Sequence, residues 1–300
     1  MSTHISDVLG IPRMSHSDID FVNVKLSPDT KLFLDPCLIA QGQDEWSRKA
    51  DQTINSYFDR FYSLYRNNAP EPVKLSLFWH AHEINATHLG YGNGNNGKAK
   101  TPLGMLKTFS GIPALMRQGI PLAKVTDLPL FISDFAEDCL SDMLTNILFK
   151  NLMDFTLEKC EQYGVATSDA PRGWFFWNAE SGSWEEYVGP CLLHNGKLVL
   201  LVPKNVVRNR YYFNAENFFR RVILTRMQQE SSWVDSNGKI QMFSKKDLLK
   251  KTKGNSTTLD CVSNLTEVEP SYLREYHAKL PEFYEDRGMS DEDLDRIVYG

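Results

Sequence analysis

The sequence predicts an α+β protein in which a small mixed sheet with β-hairpins packs against a long central helix and further helices. Three stretches carry that expectation. Phe131 to Tyr163 contains neither Pro nor Gly, and Leu140, Met143, Leu144, Ile147 and Leu148 fall on one face at helical spacing. Glu45 to Asn67 repeats Ala50, Ile54, Tyr57, Phe58, Phe61 and Tyr65 in the same way. Cys191–His194 and Lys197–Val202 flank Asn195-Gly196, the dipeptide that supplies the two positive φ angles of a tight hairpin.

Along the chain, residues 1 to 17 read as a polar arm. Val22, Val24 and Leu26 alternate with Asn23 and Lys25, which predicts a half-buried strand. Ser27-Pro28-Asp29-Thr30 is turn chemistry, and Leu32-Phe33-Leu34 is expected to pair back and end at Asp35-Pro36. The short apolar run Val73–Trp79 is read as a strand. Two short helices are expected over 102–109 and 112–118, then the central helix closed by Gly164. After Pro171 the pattern turns to strands at 173–178 and 184–188 and the Asn-Gly hairpin, stopped by Pro203. A helix capped by Asn214 follows, and Ser290-Asp291-Glu292-Asp293 starts a last one. A boundary near 165–172 would divide an N-terminal part, 1–170, from a hairpin-plus-helix part, 171–300. The central helix belongs to both, so one body is expected.

Composition excludes several classes. With 42% hydrophobic and 24% charged residues the chain is an ordinary globular one, and no apolar run reaches membrane-spanning length. A net charge of −5 argues against a wholly basic nucleic-acid binder. The five cysteines form no C-x-x-C pair, which points to a reducing cytoplasm rather than a disulfide framework or zinc knuckle. His80-Ala81-His82-Glu83 lacks the second histidine of H-E-x-x-H. Gly92, Gly97 and Lys98 match part of a phosphate loop, but Ala99 stands where that motif needs Ser or Thr, so a P-loop NTPase is rejected.

The residues left to carry chemistry are acidic and basic. Asp138, Asp142 and Asn146 form an i, i+4, i+8 row on the central helix. Asp138 and Asp142 are the candidate catalytic carboxylates and, with Asp35 at a strand end, the candidate ligands of Mg²⁺ or Mn²⁺. Asp35 also reads as a turn-forming Asp-Pro, and Glu185 or Glu186 could supply the strand carboxylate instead. Lys204, just after the hairpin, is the candidate to stabilise charge. Residues 204–253 hold twelve Lys/Arg against four acids, whereas 261–300 hold ten acids against four Lys/Arg. Arg208, Arg210, Arg220, Arg221, Lys245 and Lys246, with Tyr211, Tyr212, Phe213 and Phe219 interleaved, form the candidate nucleic-acid-binding segment. The alternatives are that the acidic tail folds onto it, or that both blocks are solvated faces.

Two function classes follow. One is a metal-dependent phosphodiesterase, a nuclease. The order helix, hairpin, helix resembles restriction-type nucleases in outline, although no Asp followed by Glu-x-Lys lies across adjacent strands. The other is a non-catalytic interaction subunit of a cytosolic multi-protein complex, with phage defence as one setting and a protein partner or second copy bound.

Overall fold

The helix over Glu45–Arg66 forms as its stripe predicts: Asp44 caps it, accepting a hydrogen bond from the Ser47 amide, and Ile54, Tyr57, Phe58, Phe61 and Tyr65 are all buried. The computed structural model describes residues 3–81, 84–91, 101–133, 135, 137–284 and 288–300. Within them the α+β class holds. The chain separates into two units: one comprising residues 1–107, 135–211 and 286–300, the other 108–134 and 212–285.

In the first unit the expected central helix appears as two segments, Glu137–Ile147 and Phe149–Tyr163. Leu148 departs from helical angles between them, yet its amide still reaches the Leu144 carbonyl at 2.8 Å. The apolar face is buried throughout, and Gly164 ends the second segment in the left-handed conformation that a residue without Cβ adopts freely.

The strands among the described residues stay as separate two-stranded antiparallel pairs. Phe33–Leu34 pairs with Val207–Arg208, so the expected partner, 20–26, is replaced. That segment is extended and buried at Phe21, Val22, Asn23 and Val24, but its ladder contacts are single bridges. Phe175–Asn178 pairs with Ser183–Glu186, and Leu193–His194 with Lys197–Leu198 across Asn195-Gly196, at φ of 50° and 74°. The run read as a strand at 73–79 is helical, Glu71–Phe78: Pro70 and Pro72 sit at its start, where a missing N–H costs nothing. The last helix, Asp291–Tyr299, begins with the expected Ser290 capping box and packs into this unit through Leu294 and Val298.

The second unit is mainly helical. Ala215–Phe218, a wider π turn at Phe219–Ile223, and Leu224–Glu230 follow one another. Lys245–Lys253, Thr258–Val268 and Ser271–Lys279 pack around them. Phe218, Phe219, Val222, Leu273 and Tyr276 are its buried centre. A short ribbon, Trp233–Val234 against Ile240–Gln241, projects from it with exposed side chains.

Candidate functional site

The start of helix Glu137–Ile147 is where the sequence-predicted acids meet other groups. It is tied to the Phe33–Leu34 strand by the Leu34 amide, which donates to Ser141 Oγ at 3.1 Å. Asp35, at the end of that strand, is fully buried and caps helix Pro36–Gln41, accepting from the Cys37 amide at 2.8 Å. Opposite it, Arg208 is 4% exposed, with Nε 4.0 Å from Asp35 Oδ2. Tyr211 donates its hydroxyl to the Leu34 carbonyl at 2.6 Å. Burial first, then the negative charges of Asp35, Glu137 and Asp142, push the Tyr211 hydroxyl well above the usual phenol range.

Asp138 faces a second set of groups. The Thr30 amide donates to the His88 carbonyl at 2.9 Å and the Gly90 amide to the Thr30 carbonyl at 3.0 Å, which lays Asp29-Thr30 alongside 88–90. A Cβ at Gly90 would lie 3.1 Å from Asp138 Oδ1 and 4.0 Å from Asp29 Oδ2, and Gly90 holds φ at +145°. A glycine is what lets both carboxylates approach the same point. Burial raises the Asp138 carboxyl above the ordinary aspartate range; the Tyr91 backbone hydrogen bond opposes this, while Asp29 and Glu137 add to it. Tyr91 donates to Glu137 Oε2 at 3.3 Å, and its hydroxyl is pushed up to about 12, by burial first and Glu137 next.

Asp29 Oδ1 lies 3.6 Å from His88 Nδ1, a buried nitrogen outside hydrogen-bonding range of it. His88 has a φ of 54°, in the left-handed region that residues other than glycine enter uncommonly and histidine more often than most. Both residues line a cleft of about 750 Å³, with Asn85, Arg172, Trp174 and Lys197 on its walls. A neighbouring hollow of about 380 Å³ shares His88 and Lys197 and adds His194. Arg172 is largely exposed and 3.2 Å from Glu186. The cleft therefore combines an Asp–His pair with two exposed cations. Sequence reasoning passed over it: Asp29 reads as turn chemistry, His88, with His80 and His82 before it, reads as an ordinary polar or partly buried histidine, and no periodicity marks two loop residues as neighbours.

The other predicted residues fall elsewhere. Lys204 pairs with Asp291 at 2.8 Å and donates to the His16 carbonyl, so it fastens the last helix. Arg210 is exposed, whereas Arg208 is interior and does not present its guanidinium to solvent. Arg220 pairs with Glu216, and the Arg221 guanidinium lies 4.8 Å from the Phe283 ring centre. Lys245 and Lys246 are exposed on helix Lys245–Lys253. The interleaved aromatics are mostly core: Tyr211, Phe213 and Phe219 are buried, and Tyr212 packs on Tyr284. Glu185 accepts from Asn178 and Ser181. His80 stacks on Phe175 at 3.7 Å, while His82, Glu83 and 92–100 of the glycine-dense loop lie outside the described residues.

The carboxylate oxygens are the hard donors that Mg²⁺ and Mn²⁺ take. Even so, among the described residues no three His, Cys, Asp or Glu side chains are grouped so as to hold a metal ion. Nor is any described helix long and apolar enough to cross a membrane.

No curated protein and no solved structure matches this chain. A sequence model of one family does match, over residues 10–214, a span that contains Asp29, Asp35, His88, Asp138, Asp142, Lys204 and Arg208. The chain belongs to that family, described as Domain of unknown function (DUF8370).

Proposed function

We propose that the first unit carries a metal-dependent phosphodiesterase centre acting on nucleic acid. The observation that carries this reading is the approach of Asp138 and Asp29 to the same point at Gly90, beside the cleft that Asp29 and His88 line. Acids held near one another out of water favour a shared cation; the Asp138 carboxyl is raised first by burial, with Asp29 and Glu137 adding to it. A divalent cation bound to carboxylates can polarise a phosphoryl oxygen and lower the pKa of water. Asp138, Asp142 and Asp35 are the residues proposed to hold Mg²⁺ or Mn²⁺. Because the described residues do not complete a three-ligand site, no step is assigned to the cation.

The chain's own groups have separate tasks. Arg172 and Lys197, on the cleft wall, meet phosphate oxygens. His88, 3.6 Å from Asp29, carries a proton to or from the leaving or attacking oxygen. Arg208 holds Asp35 in place from the interior. A cleavage assay on plasmid and oligonucleotide with Mn²⁺, comparing wild type with Asp142→Ala and His88→Ala, tests this. Cleavage by wild type and loss in both variants supports the reading; inert wild-type protein with and without Mn²⁺ removes it.

The second reading, an interaction subunit of a cytosolic complex, is favoured by one observation: Trp233, Val234, Ile240, Met242 and Phe243 are exposed together on the second unit. If wild type is inert and forms a defined complex that Trp233→Ala dissolves, this reading replaces the first.

A further inference from the structure

Of the aromatics that the sequence places among the basic residues, Tyr211, Phe213 and Phe219 are core and Tyr212 packs on Tyr284, which leaves the 208–221 stretch without an open pair of rings for single strands to stack on. The ribbon supplies one. Its register sets Trp233 opposite Gln241 and Val234 opposite Ile240. Alternation along the strand then puts Trp233, Gln241 and Phe243 on one side and Val234, Ile240 and Met242 on the other. Trp233 and Phe243 are 47% and 46% exposed, with ring centres 5.0 Å apart. The Phe243 carbonyl accepts from Gln228 Nε2 at 2.7 Å, which fixes the ribbon's base to helix Leu224–Glu230.

Charge gathers around the same ribbon. Residues 232–254 hold six lysines and two aspartates, and Lys239, Lys245, Lys246, Lys250 and Lys251 are exposed. Lys245 donates to the Arg220 carbonyl at 3.0 Å and to Thr225 Oγ1 at 2.7 Å, which holds its ammonium in place. Partial burial, then Arg221 and Lys279, lower its pKa, so positive groups are crowded there. A fixed excess of cations beside two open aromatic rings complements a polyanion whose repeating units have flat faces.

We propose that the ribbon and helix Lys245–Lys253 of the second unit bind single-stranded nucleic acid, with bases stacking on Trp233 and Phe243 and phosphates meeting Lys239, Lys246, Lys250 and Lys251. An anionic lipid surface is the competing occupant for apolar side chains ringed by lysines. The ribbon's tip opposes it. Asp235 accepts from Gln241 Nε2 at 2.7 Å and from the amides of Asn237 and Lys239, and these bonds hold its carboxyl below the usual range, charged at the point that would have to enter acyl chains. The proposal rests on the nucleic-acid reading above but not on its chemistry.

The test is fluorescence anisotropy of a labelled oligo-dT of about 16 nucleotides against the whole chain, without added metal, over a salt series. Wild type is expected to bind. Trp233→Ala with Phe243→Ala should weaken binding by about tenfold or more, since each stacked base contributes at that scale. Lys250→Glu with Lys251→Glu should reduce the salt slope by about 1.4, since each lost phosphate contact on a single strand is worth about 0.7. All four side chains are on the surface, and circular dichroism checks that the variants fold. Asp142→Ala should bind as wild type does, so loss of cleavage with binding kept would count against neither the ribbon nor the lysines. Absence of oligo-dT binding at low salt overturns the proposal. So does equal affinity of the double aromatic variant, or binding only to phosphatidylserine vesicles.

Discussion

The acid-bearing region around Asp35 and Asp138 in the first unit and the ribbon of the second treat charge in opposite ways. In the first, acids are taken inside: Asp35 is fully buried against Arg208, and Asp138 is half withdrawn from water beside Asp29 and Glu137. In the second, lysines stay in solvent together with apolar side chains that an isolated chain would be expected to cover. Charges held at the cost of desolvation are a feature of sites that do chemistry, whereas exposed cations with exposed rings are a feature of surfaces that meet something large. The family match covers Asp35 and Asp138 and ends before the ribbon.

That contrast can be broken most forcefully at Asp35. Replacing it by Ala removes a helix cap and leaves Arg208 buried without its carboxylate, so a loss of about 3–5 kcal/mol is expected in urea unfolding. A change under about 1 kcal/mol would mean the pair is not the anchor described. Leu144→Ala, on the buried face of the helix that carries Asp138 and Asp142, should cost about 2–5 kcal/mol in the same measurement.

Gly90→Ala sharpens the comparison. The added methyl would meet Asp138 Oδ1 at 3.1 Å on a backbone that L-residues avoid, at a cost of about 1–3 kcal/mol. The expected result is a folded, somewhat weaker protein with cleavage reduced far more than stability.

Asp138→Asn makes a pH-dependent case. The folded carboxyl has a higher pKa than the unfolded one, so the folded state binds its proton more tightly, and ionising it costs stability. That cost is absent below the unfolded value, near 3.8, and sets in as pH rises through it. Asn cannot ionise. The variant should therefore be more stable than wild type at pH 7, with the gain disappearing toward pH 3, while losing activity. A variant less stable at pH 7 would contradict the raised pKa. The smallest effect belongs to Lys204→Ala, which loosens the last helix by about 0.5–1 kcal/mol through its partly exposed pair with Asp291.

Legibility from sequence follows the range of the interactions. The stripe of Glu45–Arg66, the Asn195-Gly196 turn and the Ser290 and Asn214 caps are local, and the residues concerned announce them. Val73–Trp79 was read as a strand because a short apolar run has no period of its own; Pro70 and Pro72 at the helix start decide it. The pairing of Phe33–Leu34 with Val207–Arg208, far along the chain, has no local signature. The site divides likewise. Asp138 and Asp142 are visible as an i, i+4 pair, but the approach of Asp29 to Asp138 at Gly90, and the Asp29–His88 contact, exist only once distant segments meet. The aromatic residues at 211–219 misled for a related reason: alternating with arginines does not place a ring on the surface, and these fill the interior.

Manganese binding tests the central claim most directly. Titration of Mn²⁺ into the whole chain, followed by calorimetry, is predicted to show uptake by wild type that is lost in the folded Asp138→Asn, Asp142→Asn double variant. Absence of uptake by wild type, or the same uptake in both, would contradict the assignment of these acids to a cation-dependent centre.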